Sequence, residues 1–301
     1  MILLYKETKT ISKVLRLLLF SIATSFCFYA QEDRAQEDID GILDELFFSE
    51  EQFVDELLEN SSFNFLYTSI NYNNNTYFSG RSSGTDQFNL IPQVSYYHSS
   101  GFNASITGVY YEDFEPNWDF TSATLGYLNT VGKNDNIICN VGYTRFFYKD
   151  DFNDFTNAVD ISLGIRNKKQ TLGSTLSGSY IFGAAVSYQL VSSSFARINL
   201  LRKSKYALRL RPTLHFIIAQ QEYSYEEVVR VKPRRIVNSI AVEIFNLLNT
   251  QIAVPLSFTI NSWEVELGYY VNIPNPVANE TDLPSTSFLN FSLGYLFDLN
   301  K

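Results

Sequence analysis

The chain has 301 residues, a formal net charge of −9 and two cysteines, Cys27 and Cys139. An acidic chain offers nucleic acid no general electrostatic footing. Cys139 alone lies outside the leader-like start, which excludes a disulfide-stapled fold, and 45% hydrophobic against 18% charged residues is too apolar for disorder.

Residues 1–30 read as a secretory signal peptide. Lys6, Lys9, Lys13 and Arg16 form a basic start, and Leu17 to Ala30 is an apolar run too short to span a membrane. Cleavage is expected after Ala30. The flank of Cys27, with Phe26 before it, does not fit a lipoprotein anchor. Residues 31–61 follow as an acidic segment expected to lie in the periplasm. Ile39, Ile42, Leu43, Leu46 and Phe47 recur at helical spacing, as do Phe53, Val54, Leu57 and Leu58. Ser49 with Gln52 resembles a capping box, so two short amphipathic helices are predicted near 38–48 and 50–59.

From residue 62 to 301 the period is two. Strands are predicted near 63–73, 87–98, 101–112, 118–129, 135–148, 154–167, 169–182, 184–201, 205–220, 251–261, 263–272 and 286–298. Many have about the ten residues that carry a tilted strand across a bilayer. Short connections such as "HSSG", "RNKK" and "RKSK" alternate with long ones such as "NNNTYFSGRSSGTD", residues 222–250 and "PNPVANETDLPS". An antiparallel barrel with short periplasmic turns and long external loops has this parity. Residues 222–250 are read as a long loop, although Ile236, Ile240, Val242 and Ile244 also alternate and would raise the count to about fourteen strands.

The two faces of each strand differ in kind. In "FTINSWEVELGYYVNI", Trp263, Val265, Leu267 and Tyr269 alternate with Glu264, Glu266, Gly268 and Tyr270, and Asn261-Ser262 closes a hairpin. Elsewhere the polar faces carry mostly Ser, Thr, Asn, Gln, Gly and Tyr, where the open face of a soluble sandwich carries Lys and Glu. That composition suits a crowded polar lumen with the apolar face in lipid. Backbone groups in lipid must all be paired, so the sheet must close.

On these patterns, and on the terminal "FLNFSLGYLFDLNK", residues 62–298 resemble Gram-negative outer-membrane β-barrel proteins. The resemblance implies an all-β fold, a closed antiparallel transmembrane barrel of about twelve strands after short N-terminal helices. It also implies the outer membrane, with its lipid and lipopolysaccharide, as surroundings. The terminal strand implies recognition by the barrel-assembly machinery.

The chemistry expected is sparse. Arg197, Arg209, Arg211, His215, Glu264 and Glu266 are placed in the lumen as a polar cluster. His98 falls at a short turn. His215 raises the alternative of an outer-membrane lipid hydrolase, of phospholipase or lipid A deacylase type, but spacing pairs no serine with it. "DDFND" and "NETD" lack a complete calcium loop, and Cys139 reads as a small outward hydrophobe. No catalytic residue, cofactor or metal is expected. The expected role is non-enzymatic: a narrow channel for small solutes, or a partner-binding envelope component. Residues 38–59 are expected to bury their apolar stripe against the barrel's own periplasmic mouth or a separate envelope protein, and no nucleic acid is expected as partner. A soluble β-sandwich is the remaining alternative.

Overall fold

The structure is a computed structural model. It describes residues 64–299 apart from 83–85, 115–116, 132–135, 150–153, 204–205, 232–233, 278–279 and 281–282, with 221–244 described by their backbone. The signal peptide and the acidic helices fall outside the described residues. The chain opens with β1 (Asn64–Asn73), β2 (Tyr77–Phe78), β3 (Arg81–Ser82), β4 (Asn89–His98), β5 (Phe102–Tyr111) and β6 (Trp118–Val131). It continues with β7 (Ile137–Tyr148), β8 (Asn157–Arg166), β9 (Leu172–Phe182), β10 (Val186–Ala196), β11 (Ile198–Arg202) and β12 (Tyr206–Leu210). It closes with β13 (Thr213–Val231), β14 (Arg234–Ile260), β15 (Trp263–Pro274) and β16 (Thr286–Asp298).

Two pairs of these elements are single wall strands with a break. β11 continues β10 past Arg197, and β12 runs into β13 past Arg211 and Pro212. The register passes through both breaks: Phe195 faces Thr213, Ile198 faces Leu210, Leu210 faces Leu256 and Thr213 faces Ala253. Pro212 has no N–H to give the ladder, and its carbonyl instead accepts from the Ala196 N–H at 3.0 Å. The wall therefore has twelve positions, all antiparallel. It closes where β1 meets β16, with Phe65 opposite Asp298 and Asn73 opposite Asn290. Both described chain ends lie at one rim, the periplasmic one in barrels of this class. The predicted hairpin is present: Ile260 faces Trp263, and Asn261 takes the positive φ of 51° that asparagine tolerates.

Burial is inverted relative to a soluble protein. Ile106, Leu125 and Ile161 are 59, 58 and 62% exposed, while Gln87, Ser122 and Asn249 are at most 1% exposed. Apolar side chains cover the outside and polar ones fill the inside, which is stable only if the outside is lipid. Outward rings gather in two belts. Tyr72, Phe88 and Tyr110 stack toward the outer rim. Trp263, Tyr295 and Phe297 pack edge to face at the periplasmic rim, with ring centroids 4.7 and 4.6 Å apart. The molecule is an integral outer-membrane β-barrel.

One expectation is corrected. The described residues of 222–250 are not an irregular loop, nor do they add wall strands. They prolong β13 and β14 into a two-stranded ribbon whose register runs from Gln220 opposite Phe245 to Val231 opposite Arg234. Among the described residues β10 pairs with β13 as far as Ala219, and β15 pairs with β14 only from Asn249. The ribbon thus rises beyond the wall. The alternation of Ile236, Ile240, Val242 and Ile244 is a true strand signal, carried by the ladder of β14 on β13.

Candidate functional site

The lumen divides into two halves. Midway along β5 to β9 the inward residues are small: Gly126 faces Gly142 across β6 and β7, Gly142 faces Asp160, and Asp160 faces Ser179. Small side chains leave an internal cavity of about 160 Å³. Its wall carries Ser105, Thr107, Thr124, Asn140, Ser162 and Ser177, with Asp160, Arg166 and Arg211 as its charges. Thr144 Oγ1 lies 3.5 Å from Asp160 Oδ2. Leu128 and Ile138 line the cavity near the periplasmic rim, and Phe146 and Ala158 line it toward the outer one.

The opposite half is filled by long side chains, and here the predicted cluster forms in part. Tyr67 on β1 reaches over Gly294 on β16, where any Cβ would collide with its hydroxyl. That hydroxyl donates to Glu264 Oε2 on β15 at 3.2 Å. Glu264 lies in electrostatic reach of Arg209. The register sets Arg209, Ser257 and Glu266 in one row across three strands. Tyr270 lies in electrostatic reach of both Glu266 and Arg211, and the Arg211 guanidinium sits 4.0 Å from the Phe195 ring centre. Arg197 occupies the break between β10 and β11, half-buried, with its N–H on the Thr171 carbonyl at 2.8 Å. Replacing Tyr67 with Phe removes a donor from half-buried Glu264; an orphaned acceptor costs about 1–3 kcal/mol when fully buried and less here. The expected result is a lower urea midpoint at unchanged slope.

His215 does find a serine. Ser193 is its register partner on β10, and the Oγ to Nδ1 distance is 2.9 Å. Both are 3% exposed and face the lumen, and the residue opposite His215 on β14 is Gln251, not a carboxylate. A lipid ester outside the wall has no route to this hydroxyl, so the pair gives the lipid-hydrolase alternative no support. His98 closes the β4–β5 turn through Ser100 at 2.8 Å. Glu280 of "NETD" is held by Arg81. Cys139 lies on the outward side of β7, between inward Ile138 and Asn140.

The outer mouth holds what sequence reasoning missed. The β1–β4 connection folds back over the lumen as the β2–β3 hairpin. Ser79 and Gly80, with φ of 47° and 80°, make the two-residue turn between paired Phe78 and Arg81. Phe78 is 4% exposed, with its ring against Tyr111 and Phe114, and belongs to a buried apolar cluster with Ile91, Val109, Phe120, Phe146, Phe155 and Ile181, a plug across the outer end of the small-residue half. Arg81 donates to Glu280 through Nε at 3.2 Å and Nη2 at 3.0 Å. It also donates to the carbonyls of Ser79, Leu248 and Asn275 at 3.3, 3.3 and 3.0 Å.

Two side-chain relays run around the inner wall to this hairpin. Asn290 donates to Asn73, Asn73 to Asn89, and Asn89 to Thr76, at 2.8, 2.8 and 3.0 Å. On the other side Asn249 and Gln251 donate to Asn272, Asn272 to Thr286, and Thr286 to the Gly80 carbonyl at 3.1 Å. Gly80 also lies so close on the Asn249 amide that a Cβ there would overlap it. The hairpin is thus built into the mouth by charge, amide relays and an apolar anchor together.

No protein-family model and no curated protein matches the sequence. Among solved structures, the NanC porin is similar at 12% identity and a TM-score of 0.43, over 77% of this chain and 98% of that one. The KdgM porin is similar at 8% identity and 0.41, over 78% and 99%. An outer membrane channel from Pseudomonas putida F1 is similar at 11% identity and 0.40, over 78% and 95%. Overlaps this loose leave the architecture to rest on the chain's own register and burial.

Proposed function

We propose that the barrel is a narrow passage for small polar solutes, shut at its outer mouth by the β2–β3 hairpin. The observation that carries this reading is the cavity beneath the apolar plug, whose lining sets hydroxyls, amides and charges among apolar surface. A wall lined by hydroxyls, amides and single charges of both signs has no packing role that small apolar residues would not fill better. Twelve strands lie between the eight that side chains fill and the sixteen that hold an open aqueous channel. One half of this lumen is packed and the other is not, so any solute path follows β5 to β9.

Gly142 offers the test. A Cβ there meets nothing closer than 3.8 Å, so a larger residue enters the cavity without displacing the wall. Gly142→Phe is expected to keep the heat-modifiable folded barrel and to lower single-channel conductance in planar bilayers several-fold. Wild-type protein that conducts no ions, even with the hairpin released, overturns the passage. In that case the ribbon beyond the wall favours the second reading, a partner-binding envelope component. Deleting residues 222–243 then removes a co-purifying protein.

A further inference from the structure

We propose that the periplasmic rim of β8 to β12 is a docking surface for the chain's own acidic segment, residues 38–59. This holds whether or not the barrel conducts. Three exposed lysines, Lys168 and Lys169 in the β8–β9 turn and Lys203 after β11, stand at this rim and make no ion pair among the described residues. Arg166 and Arg202 stand at the same rim. Beside it, on β6 and β7, Leu128 and Ile138 give the periplasmic end of the cavity an apolar edge. The rim therefore presents cations beside an apolar step.

Residues 38–59 carry the complement. Asp38, Asp40, Asp44, Glu45, Glu50, Glu51, Asp55, Glu56 and Glu59 surround two apolar stripes without a single Lys or Arg. The segment joins β1 through residues 60–63, so it is tethered to the rim it would cover, at high effective concentration. From β1 to β8 is five places around the wall, about 25 Å at roughly 4.8 Å per strand. At about 1.5 Å per residue a helical 38–59 reaches about 33 Å, which is enough to cross. Charge attraction at an exposed rim weakens within a Debye length of about 10 Å at 0.1 M salt, so the docking is salt-sensitive.

Zero-length carbodiimide coupling of the full-length protein in detergent tests this directly, using an equal mixture of ¹⁴N- and ¹⁵N-labelled chains. Expected are peptide links between carboxylates of 38–59 and Lys168, Lys169 or Lys203 within one isotope, falling several-fold in 0.5 M NaCl. A second measurement uses glutamyl endopeptidase. The triple variant Lys168→Glu, Lys169→Glu, Lys203→Glu is expected to be cut within 38–59 at least ten-fold faster than wild type at low salt. Links only between isotopes mean that the segment docks on another copy and overturn the proposal. No links together with equal cutting rates also overturn it, and leave the lysines to phospholipid headgroups. Conductance enters neither readout, so the passage and the docking surface stand or fall separately.

Discussion

Ile161→Arg is expected to cost the folded barrel about 2–4 kcal/mol, the range for a charge on the lipid face near the bilayer midplane. Ser162→Arg, one residue on, is expected to leave it folded. Ile161 lies halfway along β8 and is 62% exposed on the outward side. Ser162 faces the cavity, between register partners Asn140 and Ser177. A guanidinium at 161 has hydrocarbon around it and no counter-charge. At 162 it finds hydroxyls, amides and the Asp160 carboxylate one turn of the pleat away. Urea unfolding in lipid vesicles reads the first effect, and conductance reads the second as a narrowed path. Equal destabilisation by both variants would contradict the inverted burial on which the outer-membrane assignment rests.

The period of two made the wall legible, because facing follows parity alone. Parity also placed Arg209, Glu264 and Glu266 on the inside, and register then set Arg209 in the row of Glu266 with Glu264 in electrostatic reach. Parity did not reveal which serine meets His215. Ser187, Ser193 and His215 all face inward, and only the register of β10 against β13 selects Ser193. The ribbon is hard to see in sequence because the charged, proline-bearing stretch "RVKPRR" resembles a loop, while the alternation on either side continues two strands already counted. The hairpin over the mouth left no pattern at all. Its sequence, "TYFSGRSS", holds one buried ring, and the partner of Arg81 is 199 residues away. A contact between two long loops has no period to betray it. Both loops had to be placed on the same rim by the closed wall before the charge complement of Arg81 and Glu280 acquired meaning.

Arg81→Ala is expected to open the outer mouth, and more completely than Glu280→Gln. The Arg81 and Glu280 side chains are only 11 and 17% exposed, so their pairing is little screened by solvent. Removing one member of such a pair strands the other, at a cost of about 3–5 kcal/mol when burial is complete and less here. Even about 1.4 kcal/mol shifts the closed-to-open ratio tenfold. Phe78 opposes opening with its own burial, about 1.5–3 kcal/mol for a ring removed from water, so each latch alone holds the hairpin part of the time. Single-channel records are expected to show open probability rising at least tenfold in Arg81→Ala, and further in Arg81→Ala with Phe78→Ala. Exchanging the charges, Arg81→Glu with Glu280→Arg, is expected not to restore closure. Three of the acceptors around Arg81 are backbone carbonyls, those of Ser79, Leu248 and Asn275. A carboxylate at 81 would face them with nothing to donate, and the repulsion would offset the restored ion pair. Closure recovered by the exchange would show that charge alone holds the latch, and that the fork of donors to the Leu248 and Asn275 carbonyls does not.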